Sequence, residues 1–290
     1  MTVAEFLTEL TEFWTGLTRL TGLEGRRFEM MQVSSCSLET VRANPDATQL
    51  FNGKMLEYHP LSIFQHCAAF LSGYIIFMIG IVDYGIGNLR SVQKAFQHVG
   101  GEAVFVRTPD EIAQVDALVL PGVGNFGDCV RSLAKSGMWD AVLAWAQSDR
   151  PFFGICVGYQ MLFESSEEAP GEKGLGVFSG AVRKFSDQHH LKVPQIGWNT
   201  VTLKQTDVPL LNGIATHDFV YFVHSYYVAP KDASIIALET TYGDTFAAAI
   251  ARDNLIATQF HPEKSQRAGL QLIKNFVALA ESVASVPVAK

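Results

Sequence analysis

The chain has 290 residues, 48% of them hydrophobic and 18% charged, and a formal net charge of −7. That is globular composition with ample apolar content for a core, in one large domain or two small ones. The charge and the lack of a basic cluster give no support for nucleic-acid binding. Four cysteines, Cys36, Cys67, Cys129 and Cys156, form no Cys-x-x-Cys pair. Neither a zinc site nor a disulfide framework is suggested, and reduced thiols in a cytosolic compartment fit best.

Residues 1–77 read differently from the rest. Phe6, Leu7, Leu10, Phe13, Trp14, Leu17 and Leu20 recur at helical spacing, with Thr2 and Glu5 as a capping box. Beyond Leu23 the pattern dissolves, and Asn44-Pro45-Asp46 signals a turn. Residues 61–82 are nearly uncharged and long enough for a membrane span. Gln65 and His66 interrupt that run, and its end, Met78 to Val82, reads better as the first strand of a new domain.

From Met78 short apolar strands alternate with helices. Ile79 to Asp83 is a buried strand, residues 84–88 a glycine-rich turn, and Leu89, Val92, Phe96 and Val99 one face of a helix that Gly100-Gly101 stops. Ala103 to Val106 and Ala117 to Leu120 are strands, and residues 121–126 a tight loop. Residues 128–147 are helical with a break at Gly137, and Phe152 to Ile155 is a fourth strand ending at Cys156. This alternation predicts an α/β fold with a mostly parallel central sheet flanked by helices. Ligands of such sheets sit at the carboxyl ends of the strands, where the 84–88 turn, the 121–126 loop and Cys156 all fall.

Residues 151–163, Pro-Phe-Phe-Gly-Ile-Cys-Val-Gly-Tyr-Gln-Met-Leu-Phe, run from strand type to an apolar pattern of helical type. Cys156 stands in a Gly-x-Cys-x-Gly turn between the two, the elbow geometry that exposes a nucleophile. The glycines are needed because the turn is strained and a Cβ would crowd the strand and helix. A helix N-terminus would favour thiolate over thiol. The competing reading of this stretch alone is a small buried cysteine in a βα turn.

After Phe163 the chain turns to strands, with extra antiparallel strands expected. They are read at Val177, Ala181 to Phe185, Thr200 to Leu203, Phe219 to Val228, Ile235 to Leu238, Phe246 to Ile250 and Leu255 to Phe260. A closing helix shows Leu270, Ile273, Phe276, Val277 and Ala280 on one face, and the last residues, with Pro287, read as frayed. A cysteine nucleophile needs a base, and the base an orienter. His261 and Glu263 are the best pair, since positions i and i+2 share a side in extended backbone and Pro262 fits a strand end. A solvated polar strand end is the competing reading. His224 is a rival base inside a strand; His66, His98, His189, His190 and His217 have no carboxylate in an equivalent relation. No cysteine–histidine spacing supplies three clustered metal ligands. These residues alone support a cysteine-nucleophile α/β enzyme.

Gly-Ile-Cys-x-Gly-x-Gln at 154–160 with His-Pro-Glu at 261–263 resembles the class I (triad) glutamine amidotransferases. More narrowly, Asp-Tyr-Gly-Ile-Gly-Asn-Leu at 83–89, Pro-Gly-Val-Gly-Asn-Phe at 121–126, the elbow, Pro-Gln-Ile-Gly-Trp-Asn at 194–199 and Tyr-Phe-Val-His-Ser-Tyr at 221–226 look like the glutaminase subunits of imidazole glycerol phosphate synthases. The resemblance covers Met78 to about Val283, which makes 78–290 an amidotransferase domain. It leaves 1–77 as an N-terminal extension, or as the product of an upstream start that is never translated.

The resemblance implies the class I amidotransferase fold and glutamine hydrolysis through a cysteine thioester. Cys156 would be the nucleophile, His261 the base and Glu263 its orienter. The backbone N–H of Val157, after the nucleophile, would be one oxyanion donor, with a second around Val123 and Gly124. Gln160, Glu168, His224, Ser225 and Tyr226 resemble substrate contacts. Asn88, Tyr221 and Lys264 resemble positions facing a partner, a (βα)8-barrel cyclase that this chain is too short to contain. Each of these residues would also pass as an ordinary strand, helix-end or surface residue. The implied enzyme needs no metal or cofactor, is cytoplasmic, and binds neither nucleic acid nor membrane. Three alternatives stand beside it: a glutaminase for anthranilate, pyridoxal phosphate, GMP or CTP synthesis, a degenerate binding module that kept the fold, and a protein tethered to a membrane by residues 61–82.

Overall fold

The computed structural model describes residues 77–186 and 191–284. The readings made for residues 1–76, including the first helix, Cys36, Cys67 and His66, and those for His189, His190 and the last six residues, lie outside the described residues.

The first half of this region alternates as its apolar runs require. Strand β1 is Ile79–Val82, helix α1 Leu89–His98, β2 Ala103–Val106, α2 Pro109–Ala113 and β3 Ala117–Gly122. Helices α3 (Phe126–Lys135) and α4 (Trp139–Ala146) follow, with Gly137 between them at φ +76°. Then come β4 (Phe152–Cys156) and α5 (Val157–Gln160). The short α2 was not read from sequence; it begins where the Thr108 side chain accepts from the Glu111 N–H. Strands β5 (Phe163–Ser166), β6 (Phe178–Lys184), β7 (Gln195–Thr200), β8 (Thr202–Leu203), β9 (Phe219–His224) and β10 (Tyr226–Pro230) come next. Strands β11 (Ile236–Tyr242), β12 (Asp244–Arg252) and β13 (Leu255–Thr258) lead to the closing helix α6 (Gln266–Ala284).

The central sheet has the order β2-β1-β3-β4-β13-β12-β11-β8. Its first five strands are mutually parallel, and β12, β11 and β8 add on in antiparallel pairs. All residues of β1, β3, β4 and β13 are buried, as a sheet covered on both faces requires. Phe96 of α1, Phe153 of β4 and Phe276 of α6 pack as a ring cluster with centroids 5.3–6.5 Å apart. Trp145 of α4 donates its indole N–H to the Pro151 carbonyl at the start of β4. The closing helix buries Ala268, Gly269, Leu272, Ile273, Phe276, Val277 and Ala280. Leu270, expected on that face, is only half-buried, one residue off the stripe. No helix among the described residues is long and apolar enough to cross a membrane.

Three expectations are corrected. The helix after Cys156 lasts one turn and ends at Gln160, because Phe163 pairs with Phe178 in the sheet β10-β6-β5. A short apolar run satisfies either period, and strand pairing decides it here. The single strand expected from Phe219 to Val228 is two strands in different sheets, broken at Ser225. The strand expected at Thr200 to Leu203 is the end of β7, which pairs with β9, followed by β8, which pairs with β11.

The two elbow glycines have steric causes. A Cβ on Gly158 would lie 1.9 Å from the Leu120 carbonyl oxygen, and one on Gly154 3.1 Å from the Ala257 Cβ. Gly158→Ala therefore cannot be absorbed without moving β3 away from α5. It is expected to cost at least about 3 kcal/mol in urea unfolding, the upper end of ordinary overpacking. Gly154→Ala, whose neighbours need yield only slightly, is expected to cost less.

Candidate active site

Parallel register brings the site together. Gly122 of β3 pairs with Cys156 on one side of β4, and Thr258 of β13 pairs with Ile155 on the other. The carboxyl ends of β3, β4 and β13 therefore meet at one edge, and the chain reaches His261 three residues beyond β13.

Cys156 is 4% exposed, with φ 56° and ψ −110°. A non-glycine residue here stores about 1–3 kcal/mol of backbone strain, held by the surrounding sheet. The turn aims the side chain off the end of the strand, which is the use of an elbow. The helix behind it has only four residues, so the dipole expected to favour thiolate is that of a single turn.

His261 is 4% exposed and fixed at its backbone. Its N–H donates to the Tyr221 carbonyl at 3.0 Å, and its carbonyl accepts from the Ser265 hydroxyl at 2.7 Å. Nδ1 meets Glu263 Oε1 at 2.9 Å, and Cys156 lies close enough to the ring to act on its pKa, which leaves Nε2 for the sulfur. The expectation that His261 and Glu263 share a side of extended backbone is corrected in its cause. Residues 262–264 form a 3-10 turn, and that turn folds the carboxylate back onto the ring. Gly269 of α6 packs so tightly on this turn that a Cβ would lie 2.0 Å from the Pro262 carbonyl oxygen. The Glu263 side chain is fully buried, and its Oε2 has no hydrogen-bond partner among the described residues.

Burial alone would lower the His261 pKa. The hydrogen bonds to Cys156 and Glu263, and the charge of each, outweigh it and push the value up from 6.5 to about 10. A folded-state pKa above the unfolded one gives stability that is complete below about pH 6.5 and is lost as pH rises through about 10. Chemical denaturation across that window is expected to show stability falling with pH. The fall should be smaller in Cys156→Ala, which lacks a principal partner holding the proton.

Cys129, the other described cysteine, behaves differently. Burial, its largest influence, pushes its thiol up to about 11, and the thiol donates to the Val123 carbonyl at 3.4 Å. Tyr84 donates its hydroxyl to the Pro121 carbonyl at 2.7 Å. Both hold the 121–124 loop, and neither was singled out from sequence. A Cβ on Gly122 would lie 2.6 Å from the Gly158 N–H nitrogen, so the loop runs directly against the residues after Cys156. Val123 is half-buried, Gly124 is exposed at φ +82°, and Val157 is buried.

The other site residues fall as follows. Gln160 is buried, and its Nε2 donates to the Tyr226 carbonyl at 3.0 Å and to Gln259 Oε1 at 3.1 Å. Glu168 is half-buried, and its Oε2 accepts from the Phe126 N–H at the start of α3. His224 is buried against Phe185, Phe222 and Phe246. Its Nδ1 meets the Tyr226 carbonyl and its Nε2 meets Gln195 Oε1. Burial lowers its pKa to about 4, so the ring is neutral. As a rival base it is placed out of use, because neither nitrogen is left for Cys156. Ser225 and Tyr226 are half-buried at the corner between β9 and β10. His98 and His217 are exposed. The 262–264 turn packs against α1, which Asn88 precedes, and against β9, which carries Tyr221. Lys264 is exposed on that turn. Gln259, fully buried beside Cys156, was missed in the sequence, where a polar residue at the end of an apolar strand carries no signal of its own.

Residues 80–280 match the family model described as glutamine amidotransferase class-I. The chain is 50% identical over 204 residues to the imidazole glycerol phosphate synthase subunit HisH of Syntrophotalea carbinolica, covering 69% of this chain and 98% of the relative. It is 50% identical over 199 residues to the HisH subunit of Acinetobacter baylyi, covering 69% and 97%. Among solved structures, PurLQS from Thermotoga maritima superposes with a TM-score of 0.56 at 18% identity, covering 70% of this chain and 98% of that one. At that identity the likeness shows the fold alone.

Proposed function

We infer the working of this site from its family: the chain belongs to the class-I glutamine amidotransferases and, within them, to the HisH subunits of imidazole glycerol phosphate synthase. It is a glutaminase of histidine biosynthesis. The observation that carries the assignment of roles is the His261–Glu263 pair on the turn after β13, the strand beside β4 and its Cys156, at the edge shared with the 121–124 loop.

Cys156 attacks the side-chain amide carbon of glutamine. Nε2 of His261 holds the thiol proton, as the raised pKa of the ring favours, and Glu263 holds the opposite nitrogen in its protonated form. The C–N bond breaks as His261 returns the proton to the leaving ammonia. Water then cleaves the γ-glutamyl thioester, giving its proton to His261 and its oxygen to glutamate. The tetrahedral oxyanions of both steps are met by the Val157 N–H and by an N–H of the Val123–Gly124 segment, each worth about 3 kcal/mol where such donors have been removed in other enzymes. Gln160 and Glu168, with the backbone of residues 224–226, hold the substrate's amino-acid end.

Ammonia released into water would be protonated and lost, so the reading includes a separate (βα)8-barrel cyclase chain in a heterodimer. The ribbon β7–β9 supports a docked partner. Ile196 pairs with Val223, Trp198 with Tyr221 and Thr200 with Phe219, so their side chains share one face. Ile196, Trp198 and Phe219 are 60%, 45% and 60% exposed, an apolar group of the kind that marks an interface. Asn88, Tyr221 and Lys264 belong to the same side of this reading. A cytoplasmic setting, which keeps the thiol reduced, and an N-terminal extension over 1–77, outside the matched family, complete it.

The test is glutamate release from glutamine by this chain alone, with the cyclase chain, and with the cyclase plus its ribonucleotide substrate. Strong stimulation by the loaded cyclase supports the assignment. Glutamate release indifferent to the cyclase would assign the glutaminase to another acceptor.

A further inference from the structure

The geometry points to Gln259 as a positioning residue for the nucleophile, a side-chain donor to the Cys156 sulfur. The inference rests on the glutaminase reading above and adds a residue to it.

Gln259 follows β13 by one residue. Thr258 pairs with Ile155, so the next position across the parallel register is Cys156 itself. The backbone is fixed there, since the Gln259 N–H donates to the Ala248 carbonyl at 2.8 Å. The residue has no exposed surface. A fully buried carboxamide is costly unless each polar end finds a partner, so its orientation carries information.

That orientation follows from one atom that can only accept. The Tyr226 carbonyl oxygen lies 3.0 Å from the Gln160 side chain, which must present its NH2 group to it. The same NH2 group lies 3.1 Å from Gln259, which must answer with its oxygen. The Gln259 NH2 group is thereby turned to Cys156 Sγ, at 4.0 Å. Donation runs outward from the Gln160 amide, to the Tyr226 carbonyl on one side and through Gln259 to the sulfur on the other. At 4.0 Å the contact is long for a neutral thiol, and an anionic sulfur is the stronger acceptor that would draw it in. Gln259 thus favours negative charge on the sulfur and fixes its direction, while His261 handles the proton. It also ties the sulfur's position to Gln160.

The experiment compares wild type with Gln259→Met, which keeps side-chain length without a donor, and Gln259→Glu, which keeps shape but offers only acceptors. Two readouts are taken on full-length protein, with thermal melts alongside. One is the rate at which iodoacetamide labels Cys156 without glutamine, followed by peptide mass so that the other cysteines do not contribute. The other is kcat and KM for glutamine with the cyclase present. Expected is labelling about tenfold slower in Gln259→Met and slower still in Gln259→Glu, with kcat falling about 10–100-fold and KM moving less than about threefold. Labelling of either folded variant at the wild-type rate, or of Gln259→Glu as fast as Gln259→Met, would overturn the proposal. Should the methionine variant fail to fold, the near-isosteric glutamate variant carries the same comparison against wild type. Failure of the glutaminase reading itself looks different: wild type would then release no glutamate and label Cys156 no faster than Cys129.

Discussion

Cys156→Ala is expected to abolish glutamate release, lowering kcat by about 10⁴-fold or more, while the folded protein and its docking to the cyclase survive. Only one atom is lost, but it is the atom that becomes the thioester. Removing the nucleophile of a residue set that acts as a unit costs nearly all the chemistry, and what remains comes from binding and oxyanion donors. The alanine keeps the Cβ and inherits the same φ of 56°, so the elbow's strain is unchanged. The three exposed apolar residues of the β7–β9 ribbon are untouched, so the variant should still associate with the cyclase in gel filtration. Cyclase activity supplied with ammonium salt in place of glutamine should persist in that complex. Glutamate release within about tenfold of wild type would remove Cys156 from the role of nucleophile. Cys129 is no substitute, since burial holds it as a thiol engaged with the Val123 carbonyl.

Much of this was legible in the sequence because glycines and apolar runs mark it locally. The strands β1 to β4, helix α1, and the break between α3 and α4 follow from runs that only a doubly covered sheet can bury. The elbow and His-Pro-Glu were readable because each is a few adjacent residues. What was not legible depends on partners far along the chain. The run from Phe219 to Val228 shows no internal break, and the corner at Ser225 exists because β9 pairs with β7 while β10 pairs with β6. The helix after Cys156 stops after one turn because Phe163 finds a strand neighbour further along, at Phe178. The side on which Glu263 meets His261 was anticipated, but for the wrong backbone. Gln259 is the clearest case. Its burial, its place across from Cys156 and the direction of its amide all come from β4, β12 and residues 160 and 226.

The sheet also explains why a site made of distant residues is built to close tolerance. β4 stands between β3 and β13, so the cysteine, the 121–124 loop and the His261 turn are three consecutive outlets of one rigid edge. Rigidity is maintained by contacts without slack: Gly122 against Gly158, Gly158 against Leu120, and Gly269 against Pro262. Sites placed on strand ends and supported by packing hold their geometry better than sites on free loops. That framework keeps Cys156 in a backbone conformation it would not adopt alone.

Glu263→Gln is expected to separate activity from stability. The carboxylate is fully buried, pairs with His261 through one oxygen, and leaves the other without a partner among the described residues. A buried charge of this kind is a poor source of stability, because its desolvation offsets much of its attraction to the ring. The substituted amide keeps the shape and removes the charge, so urea unfolding near neutral pH should lose part of the proton-linked stability, about 1–2 kcal/mol. Activity should fall far more. The neutral amide holds the ring less firmly with Nε2 toward the sulfur, and it no longer balances the positive ring that holds the thiol proton. Loss of an orienting carboxylate with geometry preserved lowers kcat by up to about 10⁴-fold in a comparable serine triad. A drop of about 10²–10⁴-fold in kcat is expected here, with little change in KM, since Glu263 touches the base and not the substrate. The proton on His261 should also be released at lower pH, because one of the two groups raising its pKa is gone. The stability lost with rising pH in wild type should then be lost earlier in Glu263→Gln. Wild-type turnover with reduced stability would be the opposite pattern, and it would make Glu263 a packing residue, with orientation of His261 left to the Tyr221 carbonyl and the Ser265 hydroxyl.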